Sequence, residues 1–176
     1  MPSLETIFVY DLICERAQAL SAKMNASLCP KTQVQAVGDP SVSQICDIVV
    51  TATGSPRPVV NIADFGKGCL CIHFGGFECS FVTVSGTDRR FIDSWQAVKH
   101  RNASAIAKMA NKGILSETLI DGELEEVVAG KNQGRTGGDE IIYFSCAGMG
   151  IEDVAIATRI YRRALETHTG TKLRYW

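Results

Sequence analysis

The segment 134–164 constrains the fold of this chain more than any other stretch. Ile141–Ser145 is a short apolar run between turn signals, which is typical of a strand covered on both faces. A loop of small residues follows, and beyond it apolar residues recur at the spacing of one helical face. These positions are Val154, Ala155, Ala157, Ile160 and Tyr161. Strand, loop and helix in this order predict an α/β unit, in which ligands bind beyond the carboxyl ends of the strands. A strand-to-helix turn without any ligand fits the same pattern.

Composition and charge are those of an ordinary globular protein. With 176 residues, of which 45% are hydrophobic and 21% charged, the chain is long enough for one sizeable core, and we expect a single domain. The net charge of -1 gives no electrostatic basis for binding nucleic acid or an anionic membrane. No apolar run reaches the length of a membrane span, and the first residues lack the basic and apolar regions of a signal peptide. We therefore expect a cytoplasmic protein with neither a nucleic-acid nor a membrane partner.

Cysteine and histidine usage does not suggest a metal centre. The seven cysteines lie in apolar or small-residue contexts, and no two of them form a C-x-x-C pair. This usage predicts reduced thiols in the core of a cytosolic protein. His73, His100 and His168 are not at the spacing of metal ligands, and we expect no metal site.

Strand-like and helical patterns alternate along the chain, which favours βαβ units and a parallel sheet. The predicted strands cover 7–10, 33–37, 47–51, 69–74, 90–93 and 141–145, and the third of them is predicted to be buried. The predicted helices cover 15–25, 40–45, 61–65, most of 94–130 with breaks near 113 and 115–116, and the segment after 150. Gly130 is predicted to follow a helix as its C-cap.

Short motifs in the last third carry a family resemblance. They are GRT at 134–136, EIIYF at 140–144 and GIEDVA at 150–155. In this order they resemble the ornithine cyclodeaminase/mu-crystallin family. FIDSW at 91–95 and GTKL at 170–173 resemble the branch that includes the dehydrogenase of siderophore 2,3-diaminopropionate synthesis. The resemblance implies a nicotinamide-dependent oxidoreductase of amino-acid metabolism, homodimeric and acting on a small amino or imino acid, of which residues 1–176 are the Rossmann-like C-terminal portion.

The phosphate-binding loop of such a fold is the missing element. A dinucleotide-binding fold carries G-x-G-x-x-G after its first strand, and an acidic residue about 20 residues later ends the second strand. Asp11 follows a predicted strand and fits the acidic position, but the ten residues before it contain no glycine. We therefore expect an α/β fold with a Rossmann-like, mostly parallel sheet flanked by helices, lacking the usual first strand and glycine-rich loop. The resemblance implies that those parts and an N-terminal substrate domain lie upstream of Met1.

Loss of that first strand has a structural cost, because it is central in the strand order 3-2-1-4-5-6. Its neighbours are left with unpaired backbone groups on facing edges. Three explanations are open: the chain is a fragment or truncated product, another chain supplies the missing parts, or the second and fourth strands pair directly. We favour a truncated product.

Several residues are candidates for the cofactor. A carboxylate at Asp11 would accept both ribose hydroxyls and repel a 2′-phosphate, which favours NAD over NADP. The alternative role for Asp11 is a helix N-cap, and one residue can serve both roles. The resemblance places Thr53 at a cofactor contact, whereas strand propensity alone also explains a threonine there. It also implies that a strand exit meets the nicotinamide half of the cofactor, at Ile72, His73, Phe74 and Gly75. Cys146 and Ala147 fall where the family has a cofactor-contacting serine and a substrate contact.

Glu78 is the catalytic candidate. In the family an acid five positions after an asparagine exchanges protons with the amino substrate, and here His73 stands at the asparagine and Glu78 at the acid. A solvated loop carboxylate and a core histidine are the alternatives. The serine is replaced by Cys146 and the lysine that follows the acid in the family is absent, and both departures disfavour ornithine cyclodeamination itself. A non-catalytic remnant or a mu-crystallin-like binding protein is the rival hypothesis. Arg135 could bind an anion or simply occupy a surface turn.

Overall fold

The structure, a computed structural model, describes residues 4–28 and 31–174. It contains a two-stranded and a five-stranded sheet, and all strand pairs in both are parallel. The strands are β1 Thr6–Val9, β2 Gln33–Ala36, β3 Ile48–Thr51, β4 Leu70–His73, β5 Arg89–Ile92, β6 Gly122–Glu123 and β7 Ile142–Ser145. The α-helices are α1 Cys14–Ser27, α2 Phe81–Gly86, α3 Trp95–Arg101, α4 Ala105–Asn111, α5 Leu124–Val128 and α6 Gly150–Glu166. Short 3-10 helices lie at Pro40–Ile45, Ile62–Asp64 and Glu117–Leu119.

The five-stranded sheet has the order β3-β4-β7-β5-β6. Three of the four residues of β7 are buried, as its apolar run predicts. Cys71 of β4 and Tyr143 of β7 are register partners and are both fully buried. They belong to one core cluster with Val84 of α2, Val98 of α3 and Ile106 of α4. These helices therefore cover the same face of the sheet, and the core lies between them and the central strands.

The first two strands form a separate unit with α1. β1 pairs with β2, and Ala17 of α1 and Val34 of β2 are buried. With the usual first strand absent, β1 and β3 of this chain correspond to the second and fourth strands of the usual order. Among the described residues β3 pairs only with β4 and not with β1. The explanation that the second and fourth strands pair directly is therefore wrong. The prediction that the third strand is buried is also wrong. Ile48 and Val50 are 52% and 55% exposed because they lie on the face of this edge strand that is turned away from the core, whereas Val49 on the other face packs against it.

Helix boundaries in the middle of the chain differ from the predictions. The predicted helical region 94–130 contains three separate α-helices, and Asn102 at a φ of 47° ends the first of them. Gly130, at a φ of 71°, follows α5 as predicted for a C-cap glycine. The pattern reading missed α2, although Ser80 marks its start, because its side chain accepts a hydrogen bond from the Thr83 backbone N–H at 3.0 Å.

The final helix forms as predicted, but its apolar stripe is not part of the core. No residue of α6 is buried, and Val154, Ile160 and Tyr161 are each about two-thirds exposed, at 65%, 64% and 64%. The amphipathic pattern identified the helix correctly, and no described residue buries its apolar face. Within the described part of the chain, no helix has the length and apolar character needed to cross a bilayer.

Candidate functional site

Three strand exits lie side by side at one edge of the five-stranded sheet. The last residues of β3, β4 and β7, which are Thr51, His73 and Ser145, are register partners in neighbouring strands. Backbone bonds continue just past the strands, from Phe74 N–H to the Thr51 carbonyl at 2.9 Å and from Cys146 N–H to the His73 carbonyl at 3.0 Å. The structure therefore brings the loops that contain Thr53, Gly75 and Cys146 to the same edge, as parallel pairing requires.

The carboxylate of Glu78 connects two of these exits. Glu78 is fully buried, and its carboxylate accepts hydrogen bonds from the backbone N–H of Thr53 and, at 2.9 Å, from that of Gly75. A Cβ atom on residue 75 would overlap this carboxyl group, so a side chain there would displace the carboxylate from its position between the two exits. The interpretation of Glu78 as a solvated loop carboxylate is therefore wrong.

His73 lies beside Glu78 and is also fully buried. Its Nε2 accepts a hydrogen bond from the Glu78 backbone N–H at 3.3 Å and lies 3.5 Å from Glu78 Oε2. Burial lowers the pKa of His73, and the neighbouring carboxylate opposes this shift only in part. The imidazole is accordingly neutral at pH 7, which agrees with Nε2 acting as an acceptor, and the proton is assigned to Nδ1.

Further buried polar atoms lie in the same row beneath the exits. Thr51 Oγ1, His73 Nδ1, Tyr143 OH and Ser145 Oγ have no hydrogen-bond partner among the described residues. The side chains of His73, Tyr143 and Ser145 share the inner face of β4 and β7, by register and by alternation along the strand. Ile72 is on the opposite face and half-buried, while Phe74 is 54% exposed. The edge thus has a polar, buried inner side and a more apolar, accessible outer side.

The exit of β7 is held by two side chains that the sequence analysis did not single out. Asp93, which follows β5, is buried, and its Oδ2 accepts a hydrogen bond from Gly148 N–H at 2.6 Å. The guanidinium of Arg101 donates to the carbonyl oxygen of Ala147, itself only 8% exposed. Burial raises the pKa of the Cys146 thiol, and the Asp93 charge raises it further. Asp93 belongs to the FIDSW motif, which indicates a branch of the family and carries no signal of this contact.

Two other predicted residues lie away from this edge. Asp11 follows β1 and accepts a hydrogen bond from Ile13 N–H at 2.8 Å through Oδ1, so it shapes the entry to α1. Strand pairing does not connect it to the exits of the larger sheet. Arg135 is not a free anion site, because its guanidinium donates to the backbone carbonyls of Glu140 and Gly68, the latter at 2.8 Å. No group of described residues has the composition of a metal site.

Known proteins resemble the chain over almost its whole length. The sequence model of the ornithine cyclodeaminase/mu-crystallin family matches residues 1–168. Alanine dehydrogenase of Archaeoglobus fulgidus is 28% identical over 161 residues, which are 89% of this chain and 49% of that protein. The N-((2S)-2-amino-2-carboxyethyl)-L-glutamate dehydrogenase of Staphylococcus aureus is 24% identical over 97% of this chain and 50% of its own length. The chain spans about half the length of the curated relatives it matches.

Solved structures agree with the predicted fold class. Delta(1)-pyrroline-2-carboxylate reductase of Thermococcus litoralis, solved in complex with NADH and L-proline, is 29% identical with a TM-score of 0.84. The match covers 96% of this chain and 53% of that one. A dimeric archaeal alanine dehydrogenase with bound NAD has a TM-score of 0.79 over 98% of this chain and 53% of its own, but at 24% identity this likeness shows the fold alone. The α/β, Rossmann-like fold predicted from the sequence is confirmed.

Proposed function

The chain belongs to the ornithine cyclodeaminase/mu-crystallin family, and from this premise we propose that it is the cofactor-binding portion of an NAD-dependent oxidoreductase acting on a small amino or imino acid. The observation that carries the proposal is the alignment of three strand exits at one sheet edge, two of them joined by the Glu78 carboxylate. The Thermococcus litoralis reductase, similar over nearly all of this chain, holds NADH and L-proline. In the whole protein, residues 1–176 would form one Rossmann-like unit beside a substrate domain.

The residues at this edge fit the nicotinamide half of the cofactor. Gly75 and Gly148 have no side chain and are not buried, so the backbone of two exits is accessible to a planar ring, and Phe74 offers an exposed apolar surface beside them. Asp11 would accept the ribose hydroxyls, because no described residue donates to its Oδ2, and its charge favours NAD over NADP. Thr53 would contact the cofactor through its hydroxyl, because its backbone N–H is bound to Glu78, and Cys146 through its backbone or as a weak side-chain donor. When bound, NAD supplies the hydride acceptor, and the protein supplies position and electrostatics.

Glu78 would exchange the proton of the substrate nitrogen. Its carboxylate lies where two exits meet, and neutral His73 holds its backbone in place. Because Glu78 is fully buried, this role requires the loop at Gly75 and Gly76 to move so that the carboxylate reaches the substrate. The same burial favours one alternative function, a non-catalytic protein that binds a small molecule and uses Glu78 only to join its loops.

Assembly and compartment extend the proposal. The archaeal alanine dehydrogenase of similar fold is a dimer, and we propose a homodimer for the whole protein here. The exposed apolar face of α6 would then be available for burial in the assembly or against the substrate domain. A cytoplasmic location is part of the same proposal.

Titration of the isotope-labelled chain with NADH, followed by NMR, tests the proposed site directly. We expect weak, millimolar-range binding, because the 176 residues contain no G-x-G-x-x-G loop for the pyrophosphate. NADH-induced amide shifts should concentrate at Asp11, Thr53, Gly75 and Cys146. The substitution Asp11→Ser should remove the shift at residue 11. Shifts scattered over the surface, or none at millimolar NADH, would contradict the proposal.

A further inference from the structure

The turn after β7 is built around a single peptide unit. The carbonyl of Ala147 and the N–H of Gly148 belong to the same peptide bond and point in opposite directions, because the bond is trans. The carbonyl accepts from the Arg101 guanidinium, and the N–H donates to the Asp93 carboxylate at 2.6 Å. A cation and an anion therefore hold the two polar ends of one peptide, and we call this pair of side chains the Asp93–Arg101 clamp.

Asp93 is fixed before it meets the turn. It follows the last residue of β5, its own N–H donates to the Ser145 carbonyl at 3.3 Å, and its Oδ1 accepts from Ser94 N–H at 2.8 Å. Only 1% of the residue is exposed, so its bond to Gly148 is a charge-assisted bond in a region of low dielectric. Asp93 thus connects the exits of two hydrogen-bonded strands, β5 and β7.

The clamp selects one of two backbone conformations. Gly148 has a φ of 81°, in the region that residues with side chains rarely adopt. Rotation of the peptide plane by half a turn would change this φ and would point the carbonyl at Asp93 and the N–H at Arg101. Both bonds would then be lost and replaced by unfavourable contacts, so the observed orientation is the one the charges favour.

We propose that Asp93 and Arg101 are positioning residues that hold the Cys146–Gly148 turn in the orientation that meets the nicotinamide half of the cofactor. The inference deepens the proposed function and rests on it. Neither side chain needs to touch the cofactor, since each acts through the peptide between Ala147 and Gly148. A fixed turn spares the complex the cost of ordering these backbone groups on binding.

Amide hydrogen exchange of the full chain tests the clamp without any cofactor. In Asp93→Asn the Gly148 amide should exchange about 10- to 100-fold faster, as expected for losing a bond to a charged acceptor. The ratio to the Tyr143 amide in β7 separates local opening from loss of global stability. Asp139→Asn is the matched control, because that side chain is 80% exposed and, among the described residues, forms an ion pair only with Lys67 at 3.3 Å. An unchanged Gly148 rate, or equal acceleration of Gly148 and Tyr143, would overturn the clamp.

NADH titration of the same variant tests the link to the cofactor. In Asp93→Asn the NADH-induced shift at Cys146 should fall by at least about half, while the shift at Asp11 persists. Retention of the full Cys146 shift would overturn the positioning role and leave the proposed function standing. Absence of NADH shifts in the unaltered chain would instead remove the proposed function, and with it the role of the clamp toward NAD, whatever the exchange rates show.

Discussion

Replacing Glu78 by glutamine should destabilise the fold, because this carboxylate joins two strand exits from the inside. Glutamine preserves the shape, but one of the two oxygens becomes an NH2 group that cannot accept from Thr53 or Gly75. An unpaired buried donor costs about 1–3 kcal/mol, and the remaining bond loses its charge assistance. Relief of the cost of burying a charge offsets part of this loss.

We therefore expect Glu78→Gln to lower the free energy of unfolding by about 2 kcal/mol. For a chain of this length that corresponds to a fall in Tm of about 4–8 °C. Thermal unfolding of the full chain at pH 7, followed by circular dichroism, measures it. Glu166→Gln serves as control, since that side chain is 66% exposed and pairs with Arg163 across one turn of α6, which is worth less than about 1 kcal/mol.

A Tm of Glu78→Gln within about 1 °C of the unaltered chain, with the control also unchanged, would refute the structural link between the exits. A second measurement, on the whole protein once a substrate is known, tests the catalytic proposal. Turnover should then fall about 100- to 10,000-fold, as for loss of a positioned acid or base, while cofactor affinity changes little. Turnover that survives across the pH range would leave Glu78 with its structural role alone.

Three other predictions follow from the charges near the site. Burial lowers the pKa of His73, so below about pH 6.5 its imidazole is protonated in the unfolded chain but stays neutral in the folded one. The free energy of unfolding should therefore fall by up to about 1.4 kcal/mol for each pH unit below that point. Urea unfolding between pH 7 and pH 5 should show this slope, and His73→Asn should remove it. Asp11→Ser should reduce the preference for NADH over NADPH in NMR titrations, and an unchanged ratio would leave Asp11 as a turn residue only. Burial, and after it the charge of Asp93, raises the pKa of the Cys146 thiol. Asp93→Asn should therefore lower this pKa and increase the rate of Cys146 alkylation at pH 8, measured by mass spectrometry relative to Cys46. An alkylation rate equal to that of the unaltered chain would argue against the contact.

The sequence predicted the meeting of the exits because it follows from local signals. Apolar runs bounded by turn residues identify β3, β4 and β7, and parallel pairing alone places Thr53, Gly75 and Cys146 at one edge. The polar contacts there were not predictable in the same way. Glu78 and Thr53 are 25 residues apart, and no periodic pattern reports that a loop carboxylate turns inward to bind a backbone amide.

The wrong burial prediction for β3 and the exposed stripe of α6 have a common cause. The apolar run of β3 and the apolar stripe of α6 each indicate a face that can pack against another element, but neither pattern identifies the residues that would bury it. In the described structure Val50 and Val154 remain largely exposed, at 55% and 65%. The clamp was missed for a third reason, since Asp93 and Gly148 are 55 positions apart and each looks like an ordinary turn residue in the sequence.

The division of the strands into two sheets affects how the molecule opens. β1 and β2 bond only to each other among the described strands, and α1 contributes Ala17 and Ser21 to the few buried residues of this unit. A two-stranded unit of this kind has little stability of its own, whereas β4 and β7 lie at the centre of the core. Opening is therefore expected to be sub-global, with the residues around Asp11 exchanging from a less stable foldon than those around Gly75 and Cys146. In the absence of cofactor the two halves of the proposed dinucleotide site would then differ in local stability. The nicotinamide end, at Gly75 and Cys146, would be rigid, and the adenosine end, at Asp11, would open more readily.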